Sequence, residues 1–151
     1  MSHTRLTAAQ SAGRFAIRVY ATFVLLAIAG CGTSEPDIVG KWSVYQGETD
    51  GEPLPADHRY IGQDFTITKD QVFIDQGEDG IQVPLKLVAI DWQREPHEIR
   101  LLDESNNKMA TWLIKADGDT LTFCISGGRD PQTPASFDTA GTKNLTLQLR
   151  K

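Results

Sequence analysis

From Ile38 onward, apolar and polar side chains alternate in short runs separated by Gly, Pro, Asn and Asp. Alternation with a period of two marks half-buried strands, and clusters of turn-forming residues mark their ends. Ile38 to Gln46, with Trp42, Val44 and Tyr45, predicts the first strand. Residues 47–57 are dense in Gly, Pro and Asp and predict a loop, with one helical turn expected around Asp57 to Ile61. Gln63 to Lys69 and Gln71 to Asp75 read as a hairpin whose apolar positions are Phe65, Ile67, Val72 and Ile74. Ile81 to Trp92 is the longest β-like run. Its apolar phase shifts between Leu87 and Ile90, as a bulge would cause, and Pro84 points to an edge or a bulge. Glu98 to Leu102 is a short strand between turns at Arg94-Glu95-Pro96 and at Asp103 to Asn107. Lys108 to Lys115, with Ala110, Trp112 and Ile114 on one face, meets Thr120 to Ser126 across Asp117-Gly118-Asp119. Asp-Gly accepts positive φ, which makes this a tight hairpin. A polar loop over Gly127 to Thr142, holding Pro131, Pro134 and Phe137, leads to the last strand, Lys143 to Arg150.

These elements amount to about eight short strands with short turns and no long helix, which favours an all-β antiparallel barrel or a β-sandwich. In a barrel the first and last strands would pair. Gly40 stands two residues before Trp42, where it would let a backbone pass closely while the indole plugs one end and its N–H finds an acceptor. Arg150, ending the alternating run Leu145 to Arg150, would then cover the indole with its guanidinium. The plainer alternative makes Trp42 ordinary core and Arg150 a solvated terminus.

The leader changes the picture. Arg5, Arg14 and Arg18 precede the apolar run Val19 to Ala29, a basic region followed by a hydrophobic one, as in a signal peptide. A membrane-spanning helix needs about 20 apolar residues, so this run is short for a retained span. It ends in Ile28-Ala29-Gly30-Cys31, which resembles a bacterial lipobox with Ile28 where Leu is usual. Residues 1–30 thus read as a lipoprotein signal peptide, Cys31 as the lipidated residue, 31–37 as a tether and 38–151 as one β domain. The alternative is a plain signal peptide cut nearby, with Cys31 incidental. Lipidation would hold the protein on the outer side of a bacterial membrane, since more than one acyl chain anchors stably.

Removing residues 1–30 from the 151 leaves 121, enough for a single core. The chain carries −5 overall and the leader +3, so the remainder carries −8, which disfavours nucleic acid as a partner. With Cys31 assigned to lipid, Cys124 is a lone thiol among alternating apolar residues and reads as buried and structural. His3 leaves with the signal, and neither His58 nor His97 has metal-ligand spacing; both read as surface histidines. Asp75, Glu78 and Asp79 gather in a turn that departs from calcium-loop spacing and reads as a solvated acidic turn. No nucleophile elbow, phosphate loop or dinucleotide fingerprint appears, so no metal, cofactor or catalytic residue is expected.

Three stretches carry a family resemblance: Gly40-Lys41-Trp42, Asp50-Gly51-Glu52-Pro53-Leu54-Pro55, and Trp112 to Lys115 running into Asp117-Gly118-Asp119-Thr120-Leu121-Thr122-Phe123-Cys124. In this order they resemble an uncharacterised planctomycete domain family described as lipocalin-like, over Ile38 to Lys151. Before the last strand, Gln132-Thr133-Pro134-Ala135-Ser136-Phe137 keeps that family's Phe and loses its charged pair. The resemblance implies a small lipocalin-like barrel, secretion or lipidation, and no known catalytic residue. The expected role is a non-enzymatic envelope module that binds a small apolar ligand or another envelope protein; the alternative is a hydrolase on the same scaffold.

Overall fold

The computed structural model describes residues 35–75, 82–127 and 132–151. The leader, Cys31, the acidic residues Glu78 and Asp79, and Pro131 lie outside the described residues. Among the described residues nine strands form one sheet: β1 (Gly40–Thr49), β2 (Glu52–Pro53), β3 (Asp64–Ile67), β4 (Gln71–Asp75), β5 (Gln82–Asp91), β6 (Glu98–Asp103), β7 (Lys108–Asp117), β8 (Thr120–Ser126) and β9 (Asn144–Arg150). Neighbours pair antiparallel in the order β2-β1-β3-β4-β5-β6-β7-β8-β9, and β1 also pairs with β9. Eight strands therefore close into a lipocalin-like barrel, with β2 a short addition on β1.

β1 does most of the closing because it bends. Residues 40–43 pair with β3, while Ser43 to Thr49 pair with β9 across a bulge between Val44 and Gln46. Beyond β3, the same edge of β1 is completed by a loop: Val44 N–H donates to Gln63 O, Gly62 N–H to Val44 O and Leu54 N–H to Gly47 O, each at 2.8–2.9 Å. Backbone groups that leave one ladder thus find partners in another, as burial requires. β2 follows a two-residue turn in which Asp50 and Gly51 take φ of 51° and 76°, the paired positive angles of a tight hairpin.

The inward positions are those the alternation selects. Trp42, Val44, Phe65, Ile67, Val72, Leu85, Ile99, Leu101, Trp112, Ile114, Leu121, Phe123, Leu147 and Leu149 are buried in one core. Phe123 sits at its centre, with ring centroids 5.8 Å from Phe65 and 5.6 Å, edge-on, from Trp112. The phase shift in β5 is a real bulge: the register with β6 slips between Leu87 and Ala89, which turns Val88 out to solvent. Pro84 lies in an inner strand rather than at a sheet edge. It pairs with Phe73 of β4, and the β6 ladder begins only at Lys86, so Pro84 needs no second partner.

The helical turn expected over Asp57 to Ile61 is instead a pair of successive turns, His58 N–H to Pro55 O and Ile61 N–H to His58 O. Outside the barrel lies a second small core. Leu113, Cys124 and Thr146 are neighbours in register on the outer face of β7, β8 and β9, and all three are buried. Residues 132–142 strap over them. Pro134 is buried, the Cys124 thiol donates to Ser136 O at 3.4 Å, and Asn144 Nδ2 donates to Asp138 O at 3.0 Å. The strap is fastened to the β1–β2 turn: the Thr139 hydroxyl donates to the Glu48 carboxylate and accepts from Gly51 N–H, and Gly141 N–H donates to Asp50 Oδ1.

Candidate functional site

The barrel has two unlike ends. At the first, Trp42 points inward from β1 and is 1% exposed. Its indole N–H donates to Ile38 O at 2.8 Å, so the residue just ahead of β1 folds back to satisfy the plug. The cation over the indole is Lys151, with Nζ 4.9 Å from the ring; Arg150 lies 5.3 Å over Tyr45 instead. The expected Arg150 cover is therefore corrected, and register explains why. Arg150 pairs with Ser43, so its side chain shares the outer face with that residue, while the next position along the strand turns towards Trp42. Gly40 is also used differently from expectation. It takes φ of 142°, and a Cβ there would stand 3.4 Å from Lys151 Cε, so the close neighbour is a lysine side chain and not a passing backbone.

Beside the plug, on the outside, Lys41 Nζ lies 2.6 Å from Asp64 Oδ2, and Ser43 Oγ donates to the same carboxylate. The hydrogen bond from Lys41, aided by that from Ser43, holds the Asp64 carboxyl below its ordinary range, and Asp64 in turn raises the Lys41 ammonium.

At the other end the described residues leave a cavity. Leu145 begins the run that Lys151 ends, about 20 Å away along a strand rising ~3.3 Å per residue. There Ala110 and Trp112 of β7, Ile125 of β8 and Leu145 of β9 face a cavity of about 240 Å³, together with Thr111, Ser126, Gly127 and Tyr60. Tyr60 is delivered by the turns between β2 and β3. It carries two companions: the His58 ring 5.2 Å away and the Arg59 guanidinium 4.7 Å from its centroid, with Arg59 Nη2 donating to Tyr60 Oη at 2.8 Å.

Two further hollows lie against Phe137. One, of about 320 Å³, is lined by Glu48, Lys115, Thr122, Thr146 and Gln148; the other, of about 210 Å³, by Glu95, Pro96, His97, Ile114, Lys115 and Ala116. His97 is held by its own turn, with Nδ1 2.6 Å from Arg94 O and its ring edge-on to Trp92. His58 and His97 stand on separate loops, and among the described residues no group of three or more His, Cys, Asp or Glu side chains is arranged to hold a metal. Cys124 is fully buried, and that burial pushes its thiol up to about 11, so at neutral pH it is a protonated packing group.

The structure thus brings Gly40 and Trp42 together at the plug and leaves Arg150 beside them on the outer face. Sequence reading missed Lys151, the Tyr60 rim and the outward burial of Leu113, whereas Cys124 is buried as expected. Neither a family model, nor a curated protein, nor a solved structure matches the chain.

Proposed function

We propose that the protein is a lipid-anchored envelope module that takes up a small, largely apolar molecule at the cavity end of its barrel. The observation that carries this reading is the contrast between the ends: one stoppered by Trp42 and Lys151, the other holding a cavity of about 240 Å³ walled by Tyr60, Trp112, Ile125 and Leu145. A concave, mostly apolar site with a few polar groups at its edge is the usual form of a small-molecule site. The lining supplies surface for burial and hydroxyls for orientation, which suits capture better than hydrolysis. The anchor rests on the lipobox-like Ile28-Ala29-Gly30-Cys31.

Two measurements test this. Intact mass of membrane-extracted protein should show a diacylglyceryl Cys31 at the N-terminus, and Cys31→Ser should leave the membrane; a Cys31→Ser protein that stays anchored refutes the lipid. For the mouth, 2-phenylethanol serves as a neutral probe. Saturable binding that shifts the amide resonances of Ile125 and Leu145, and is abolished when Ala110→Leu fills the cavity, supports the reading. Shifts scattered over the outer wall, or binding unchanged in Ala110→Leu, overturn it.

A further inference from the structure

Among the described residues the wall of the mouth carries no charged side chain. Beyond the leader the chain carries −8, yet no Asp or Glu lines this cavity among the described residues. Behind its wall stands Arg59, whose guanidinium lies 4.7 Å over the ring of the lining residue Tyr60. It is exposed and joins none of the four ion pairs among the described residues, and its described hydrogen-bond partner is the neutral hydroxyl of Tyr60. A guanidinium has five N–H donors in a planar fork, so one bond to Tyr60 leaves others to meet a ligand seated against that ring. The stack on Tyr60 also fixes the direction of the fork, lowering the ordering cost of a further contact.

Size and wall chemistry set the other half of the ligand. At about 30 Å³ for each water-sized volume, 240 Å³ holds roughly eight heavy atoms, one six-membered ring with an atom or two beyond it. Tyr60 and Trp112 supply aromatic walls suited to a flat ring. We propose that the mouth selects small aromatic monocarboxylates, the ring in the cavity and the carboxylate against Arg59. This rests on the binding role proposed above and adds the ligand class. A carboxylate matches the guanidinium fork in two parallel charge-assisted hydrogen bonds, which an alcohol cannot reproduce and an ammonium opposes.

The test is a titration of the full-length protein at low ionic strength with phenylacetate, 2-phenylethanol and 2-phenylethylammonium, three ligands of one ring and three head charges, read by tryptophan fluorescence and amide shifts. Phenylacetate should bind about tenfold tighter than 2-phenylethanol, and the ammonium weakest. Arg59→Gln should erase the advantage of phenylacetate while leaving the alcohol's affinity unchanged. Equal affinity for acid and alcohol, or a preference that survives Arg59→Gln, overturns the inference and leaves the binding role standing. A parallel loss of both ligands in Arg59→Gln would mean that Arg59 only props Tyr60, which also overturns it. Failure of all three ligands to bind overturns the binding role itself.

Discussion

Lys151 and Arg150 are adjacent cations with opposite assignments, and the difference is a matter of parity. Leu145, Leu147 and Leu149 face inward, so Arg150 must face outward and the next residue returns to the Trp42 side. That much was legible in the sequence, because the alternation that marks β9 already excludes Arg150 from the indole. What alternation could not give is that Lys151, beyond β9, lays its ammonium over the ring. The consequence for stability is an order. Trp42→Ala removes a buried indole and should cost about 3 to 5 kcal/mol. Lys151→Ala loses an exposed cation–π contact, about 0.5 to 1 kcal/mol, and should lower the urea midpoint slightly. Arg150→Ala should disturb Tyr45 and leave the Trp42 indole signal unchanged in near-ultraviolet circular dichroism. An Arg150→Ala change that altered this signal while Lys151→Ala did not would contradict the assignment.

Among the elements, strands and hairpins were readable because their signals are local: the β3–β4 pair, the Asp117 to Thr120 hairpin and the β5 bulge all stand where the pattern puts them. The strap was not, since it depends on contacts far apart in sequence. Its signal was nonetheless present in Leu113 and Cys124, two apolar residues out of phase with their strands, which need a cover on the outer face. Thr139 fastens that cover. Thr139→Val would leave Gly51 N–H and the Glu48 carboxylate without this partner, at about 1 to 3 kcal/mol. Opening of the strap should then rise, and the Cys124 thiol should react with a soluble disulfide reagent faster than in the unaltered protein; an unchanged labelling rate would mean that the strap opens elsewhere. A second fastening joins β1 to β3 through Asp64. Its folded carboxyl sits below the unfolded value of about 3.9, so its stabilisation is complete above that value and is lost as pH falls through the lowered folded value. Asp64→Asn should therefore be less stable than the unaltered protein at neutral pH and lose less on acidification, and parallel acid limbs in the two melts would refute the link.

At the scale of the whole molecule, the all-β barrel follows from the count and spacing of alternating runs, whereas the mouth does not, because no pattern along one strand reports which end of a closed sheet is filled. The mouth emerges only when Ala110, Ile125 and Leu145, small or partly buried members of three strands, arrive at one level beneath Tyr60. The seam between β1 and β9 joins residues about a hundred positions apart, while every other barrel pairing joins strands next in line or, for β1 and β3, nearly so. By loop-closure entropy this seam is the costliest single pairing to form, which makes it the expected last step of folding. Because the seam is antiparallel, Ile38 and Lys151 meet at the stoppered end, and a short glycine-rich link between them, with new termini cut at Gly118 and Asp119, would turn the β1–β9 pairing into a local one and make β7 and β8 the long-range seam. That permutant should refold at nearly the unaltered rate, with amide protection completed last at the β7–β8 seam; protection still completed last between β1 and β9 would show that folding does not wait on the longest-range pairing.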